Sequence, residues 1–241
     1  MMSDVGSSHG DPEGSERNAA LARPPHARAL RDRHPIFVAS QWLVAGVLHA
    51  LADVEVTGAE LCPKSGPVIL ASNHLSYVDI PFIGAWAPRS TIYFSKHEVQ
   101  HWPVVGFFAS TYGTVFVRRG ESDRQAMRDA LGFLSDNRVI GVFPEGTRSK
   151  RNGMRTAQPG IALLAQRSGA IVWPVGVTGT ERVFNVRRPK ITLTGGEPFD
   201  PLAAARAEHG DRPSHQQVTD TIMRRVATLL PGSYRGVYGT G

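Results

Sequence analysis

"PVILASNHLSYVD", residues 67–79, sets the reading of the whole chain. Its first six residues form a short apolar, β-rich run, and the polar "NHLSYVD" ends it. Comparable runs follow at 91–95 (TIYFS), 113–118 (GTVFVR), 139–143 (VIGVF), 171–177 (IVWPVGV) and 190–194 (KITLT). Helical patterns lie between and after them. Ser122, with Gln125 in capping-box spacing, opens a helix whose apolar face is Met127, Ala130, Leu131 and Leu134. Pro159 opens another through Ile161, Leu164 and Ala165. A last helix spans Ser214 to Leu230 with Val218, Ile222, Val226 and Leu229 on one face. This alternation predicts α/β layers around one mostly buried sheet.

The chain has 241 residues, 41% of them hydrophobic, enough for one domain with a proper core. Its net charge is +6, with 27 Lys and Arg against 21 Asp and Glu. Residues 86–155 hold eleven bases and six acids, so five of the six net charges sit in that window. A local basic field implies an anionic partner. Arginine outnumbers lysine 23 to 4, which favours bidentate grips on phosphate or carboxylate. Cys62 is the only cysteine, so there is no internal disulfide framework and no thiolate zinc cage, and a cytoplasmic setting is the default.

Residues 1–34, rich in Gly, Ser, Pro and charge, read as a disordered tail without a signal-peptide pattern. The composition then turns abruptly apolar over residues 35–52. From Ile36 to Leu51 only Ser40, Gln41, Gly46 and His49 are not plainly apolar, and around a helix they form no single polar stripe. Such a helix spans about 24 Å, short of a bilayer's hydrocarbon core. It reads either as a buried helix or as one dipped into a single leaflet, with Arg28, Arg31, Arg33 and Trp42 at the headgroups.

Chemistry in such sheets collects where strands end. In "NHLSYVD", Asn73 and His74 end a strand, and Ser76 can cap a turn that carries Asp79 back toward the imidazole. A carboxylate on one imidazole nitrogen fixes the tautomer and leaves the other nitrogen as a base. "FPEGTRS" follows the fourth run with Glu145, Gly146, Thr147 and Arg148 on a turn that could hold an anion, and Arg119 ends the third run. A rival signal is His97-Glu98-x-x-His101, with Glu121 as a third zinc ligand. Composition alone yields that pattern about 0.014 times per chain by chance, against about 0.0085 for Asn-His-x4-Asp, so frequency does not separate them. Context does. Zinc peptidases need both histidines on one continuous helix, and Pro103 and the preceding strand leave room for barely two turns.

In order and spacing, "NHLSYVD", "GTVFVRR", "FPEGTRS" and "IVWPVGVTG" resemble the four motifs of the glycerophospholipid acyltransferases, above all the 1-acylglycerol-3-phosphate acyltransferases. The resemblance covers about residues 67–180, almost half the chain, and it accounts for "SKHEVQHWPVVG" through Lys96, Pro103 and Gly106 without zinc. It implies a glycerol-3-phosphate acyltransferase-like α/β domain over 53–241. That domain would be one layered unit, a mixed sheet flanked by helices, behind an N-terminal membrane-interface helix. It also implies transfer of a fatty acyl group from acyl-CoA, or from acyl carrier protein, to the free hydroxyl of a lysophospholipid. Lysophosphatidate is the default acceptor and no further cofactor is needed. His74 would be the base and Asp79 its partner. Asn73, Lys96, Arg119, Glu145, Gly146, Thr147 and Arg148 would bind substrate. Arg119, Lys96 and Arg148 are the candidates for the acceptor phosphate, Glu145 for orienting Arg119 or the glycerol, and the Gly146 and Thr147 amides for an anion. The expected partner surface is the cytoplasmic face of the plasma membrane, peripheral or monotopic, with no nucleic acid.

Two departures bear on acceptor and acyl-chain preference. Ala157-Gln158 stands before Pro159-Gly160 where many members have an aromatic-Lys pair, and Trp173 fills a position more often held by a smaller aliphatic. The alternatives are another lysolipid acceptor, such as a lyso-ornithine lipid, or a basic membrane-binding protein without turnover.

Overall fold

The computed structural model describes residues 35–96, 115–117, 123–149 and 153–239. The 1–34 tail, the His97–Glu121 zinc pattern, Arg119 and the helix cap at Ser122 lie outside them. In chain order the elements are α1 (Pro35–Leu51), β1 (Asp53–Thr57), β2 (Val68–Ser72), α2 (Asp79–Trp86), β3 (Thr91–Lys96), β4 (Val115–Val117) and α3 (Asp123–Ser135). They continue with β5 (Val139–Val142), α4 (Gly160–Ser168), β6 (Ile171–Thr178), β7 (Lys190–Gly195), α5 (Pro201–His209) and α6 (His215–Thr228). Each of the six β-rich runs contains a strand. Three elements carry weak sequence signals. β1 is a five-residue edge strand with alternate residues exposed. α2 (DIPFIGAW) is apolar on every side and contains Pro81 and Gly84, so it shows no helical period. The short Ala-rich α5 declares itself mainly through Asp200, which accepts from the Leu202 and Ala203 amides as its N-cap.

The strands form one mixed seven-stranded sheet in the order β1-β7-β6-β2-β5-β3-β4, parallel throughout except where β6 meets β7. β2 lies at the centre, and successive side chains face opposite sides. Ile69 and Ala71 join a core with Ile140, Val172, Leu134, Ile161 and Ile222 under α3, α4 and α6. Val68 and Leu70 join Val139, Trp173, Val175 and Phe82 on the other face, beneath α1 and α2. Trp173 is fully buried there beside Gly195, where a Cβ would meet the Gly58 carbonyl oxygen at 2.3 Å and the indole at 3.0 Å.

α1 is turned inside out relative to a surface helix. Two of its polar residues face the protein: Ser40 is buried, and Gln41 Nε2 donates to the carbonyls of Gly84 (2.9 Å) and Ala87 (3.0 Å) at the end of α2, while His49 is exposed. Val44 and Leu48 pack inward beside them. The outward face carries Val38, Trp42, Leu43, Val47 and Leu51, with Trp42 77% exposed. Sequence patterning shows no polar stripe because the inward polar contact is made by two adjacent residues while Gly46 and His49 are exposed. Among the described residues no helix is long and apolar enough to cross a membrane.

Because β2, β3, β4, β5 and β6 are parallel, their C-terminal ends share one edge of the sheet. The segments after β2, β5 and β6 meet there. So does Lys96, the last residue of β3. Of β4, the structure gives an end at Val117 on that edge.

Candidate active site

Strand register places the site. Ala71 pairs with Val142, so three residues further on His74 lies level with Glu145. Ser72 pairs with Val175 on the opposite side, which brings Asn73 to Val177. Asn73 is fully buried and behaves as one more strand residue: its Nδ2 donates to Val177 O (2.9 Å) and its Oδ1 accepts from Val177 N (2.8 Å). Both polar groups are thereby used. Asn73 clamps the end of β2 to β6 and holds His74 at the rim.

Asp79 is the first residue of α2, a helix N-terminus that favours a carboxylate. Its side chain is fully buried and accepts four hydrogen bonds. Oδ2 accepts from the Leu75 amide (2.7 Å), the Ser76 amide (2.9 Å) and His74 Nδ1 (2.8 Å); Oδ1 accepts from the Thr180 hydroxyl (2.5 Å). Oδ2 already serves two backbone N–H groups, so Nδ1 must be the protonated ring nitrogen and Nε2 carries the free lone pair. The expected turn exists, with the capping reversed. Ser76 Oγ accepts only a long 3.3 Å bond from Val78 N, while Asp79 itself closes the turn.

The imidazole is held on its flat side as well. Phe143 stacks on His74 with ring centres 4.1 Å apart, and Tyr93 stacks behind Phe143 at 5.5 Å. Burial, with the Asp79 charge adding to it, pushes the Tyr93 phenol well above its ordinary range. Gly141 admits that ring, since a Cβ there would lie 2.2 Å from it. The backbone of His74 is fixed from the β5 side: its carbonyl accepts from Ser149 N (2.7 Å) and Ser149 Oγ (3.0 Å), and its amide donates to Glu145 Oε1 (3.0 Å).

Glu145 is buried, and its second oxygen accepts from the Arg155 amide (2.8 Å). Burial pushes its carboxyl above the usual range, while the two amide donors and His74 pull it back. With each oxygen accepting from a backbone amide, Glu145 joins two loops. Gly146 takes a left-handed conformation (φ 66°), and its amide donates to Phe143 O (3.0 Å), closing a turn with Pro144 second. That N–H is therefore spent on the turn and not offered to an anion. Thr147 is exposed beside it. Arg148 lies over the Tyr77 ring, 4.0 Å from its centre, and lines a groove of about 1030 Å³ beside the His74 loop with Leu75, Ser76, Arg182 and Val186. Lys96 and Arg119 contribute no described side chain.

An imidazole with one nitrogen on a buried carboxylate, the other open, and an arginine-lined groove alongside is a general-base arrangement. The model of the Acyltransferase family matches residues 53–178 of this chain. The chain belongs to that family. Among its relatives, a lyso-ornithine lipid O-acyltransferase of Pseudomonas aeruginosa is 35% identical over 141 residues, which cover 58% of this chain and 53% of that one. A 1-acyl-sn-glycerol-3-phosphate acyltransferase of Borreliella burgdorferi is 32% identical over 148 residues, covering 60% and 56%. The match thus spans about half the length of these curated relatives. The crystal structure of the 1-acyl-sn-glycerophosphate acyltransferase of Thermotoga maritima has the same fold, with a TM-score of 0.66 over 90% of this chain and 86% of that one at 23% identity.

Thr180 and Ser149 are the site residues that sequence reading passed over. Both lie at the edges of motifs, and neither spacing hints at the partner: Thr180 meets a carboxylate 101 positions away. Thr180→Val should leave Asp79 Oδ1 without its hydroxyl donor and loosen the imidazole. A hydrogen bond to a charged group contributes about 1.5–3 kcal/mol, so kcat should fall roughly 10- to 150-fold with substrate KM little changed. Thr180→Ser should restore most of the loss in a steady-state assay. An unchanged kcat in the valine variant would remove Thr180 from the site.

Proposed function

We propose that this acyltransferase moves a fatty acyl group from a thioester, acyl-CoA or acyl carrier protein, to the free hydroxyl of a lysophospholipid, with lysophosphatidate as acceptor. The observation that carries the reading is the His74–Asp79 pair, with Nδ1 held and Nε2 open. His74 Nε2 takes the acceptor's hydroxyl proton as the oxygen attacks the thioester carbonyl. The tetrahedral intermediate then expels the thiolate, which recovers that proton from the imidazolium. Asp79 stabilises the imidazolium without itself being protonated. Base catalysis of this kind supplies about 10²–10⁴-fold. Neither a covalent acyl-enzyme nor a metal is required.

The preference for a phosphate acceptor rests on charge. Five of the six net positive charges lie within residues 86–155, which include Lys96, Arg119 and Arg148. A phosphate monoester suits that field better than the headgroup of a lyso-ornithine lipid, which carries an ammonium beside its carboxylate. The lyso-ornithine acceptor remains the second reading, because a lyso-ornithine lipid acyltransferase is among the relatives matched. The outward apolar face of α1 supports a monotopic seat on a lipid surface, proposed as the cytoplasmic face of the plasma membrane.

A panel of lysolipids with both thioester donors should give turnover on lysophosphatidate that persists in chelator and is lost in His74→Ala. Arg119→Ala should raise the lysophosphatidate KM at least tenfold and leave the donor KM unchanged, because truncating one partner of a charge pair costs about 2–5 kcal/mol. Turnover only on a lyso-ornithine lipid would overturn the acceptor assignment; turnover on neither would overturn the enzyme assignment. Removing residues 1–52 should release the protein from membranes or leave it insoluble, and full membrane retention without them would remove α1 as an anchor.

A further inference from the structure

The turn between β6 and β7 projects apolar side chains that the fold does not use. Phe184 is 79% exposed and Val186 48% exposed, and Arg182, Arg187 and Arg188 are exposed around them. The projection is a firm one. Val183 is buried against the sheet, fully buried Thr180 is tied to Asp79, and Arg182 O accepts from both the Asn185 and Val186 amides at 2.9 Å. One exposed apolar residue signifies little, but here two stand on one anchored turn rimmed by three arginines, the pattern of an interaction site. Of the acids nearby, Glu181 accepts from the Tyr234 hydroxyl (2.9 Å) and faces Arg182 (3.6 Å). Among the described residues Arg187 and Arg188 have no carboxylate partner.

The turn's location selects its partner. Arg188 Nη2 donates to His49 O (3.4 Å), two residues before α1 ends at Leu51, and the Asp53 amide donates to Pro189 O (2.9 Å). The turn therefore adjoins the C-terminal end of the helix whose outward face carries Trp42, Leu43, Val47 and Leu51. It also leaves β6 at the sheet edge where His74 leaves β2, because those strands are parallel. Val186 lines the groove that runs past Leu75 and Ser76.

We propose that Phe184 and Val186, ringed by Arg182, Arg187 and Arg188, form a second lipid-contact element that docks on an anionic bilayer and sets the His74 edge against it. The phenyl ring enters the acyl–headgroup boundary and the guanidinium groups pair with lipid phosphates. This rests on the lipid-surface reading of α1, and it adds a second point of contact that fixes orientation as well as attachment.

The full chain would be titrated with vesicles of phosphatidylcholine alone and of phosphatidylcholine mixed with phosphatidylglycerol, and binding read by co-sedimentation. Phe184→Ser should weaken binding to both by roughly tenfold or more, given the apolar area a phenylalanine buries. Phe184→Trp should bind at least as well as the wild type. Arg187→Gln with Arg188→Gln should lower affinity for the anionic mixture about fivefold per charge and leave neutral vesicles nearly unaffected. Unchanged vesicle affinity in all three variants would overturn the proposal. So would unchanged vesicle affinity together with lost binding to an acidic acyl carrier protein, which would assign the turn to a protein partner. Turnover on detergent-dispersed acceptor should stay near wild type in every variant. A wild-type chain without that turnover would defeat the acyl-transfer reading and leave the binding result standing.

Discussion

A single buried carboxylate organises the working end of this molecule. Asp79 receives two backbone amides, an imidazole N–H and a hydroxyl, and those donors come from the segment after β2 and the segment after β6. An unpaired carboxylate at full burial would be strongly unfavourable, so the four donors are a condition of the fold as much as a feature of the site. That one requirement sets the turn after β2, the start of α2, the position of the Gly179–Thr180 turn and the tautomer of His74. Glu145 repeats the logic one strand away: a buried carboxylate joins the His74 amide to the Arg155 amide. Two acids thus serve as struts on either side of His74, one holding its ring and the other its backbone amide.

Much of this arrangement is legible in the sequence, for definite physical reasons. Strands such as VILAS and VIGV are continuous apolar runs because a parallel sheet is covered on both faces. The pairing of His74 with Asp79 follows from a local spacing, and local spacings survive folding. What escaped is non-local or inverted. Asn73 and Glu145 read as candidate substrate contacts because they are polar residues in motif positions, and their side chains bond backbone 104 and 71 residues away. A one-dimensional pattern marks a residue as constrained; it does not say whether the constraint is a ligand or a neighbouring strand. Thr180 shows the converse, a hydroxyl with no local signature that completes the carboxylate's shell.

α1 belongs to the same lesson. Its four residues that are not plainly apolar form no single polar stripe, and two of them, Gly46 and His49, are exposed. Here Ser40 and Gln41 turn inward to the end of α2, and the apolar side turns outward. Since α2 begins with Asp79 and ends at the carbonyls that Gln41 grips, the outward-facing helix and the carboxylate sit at opposite ends of one short rigid element. Under the proposed function, that element sets lipid contact and proton transfer in fixed register.

The central claim is that Asp79 holds His74 with its proton on Nδ1, leaving Nε2 as the base. Long-range proton–nitrogen correlation spectra of protein labelled with nitrogen-15 at its nine histidines test this directly, with His74→Gln assigning the resonance. At a pH where the ring is neutral, His74 should show a protonated, pyrrole-like Nδ1 and an unprotonated, pyridine-like Nε2, and Asp79→Asn should disturb that pattern. A neutral His74 protonated at Nε2 would contradict the account.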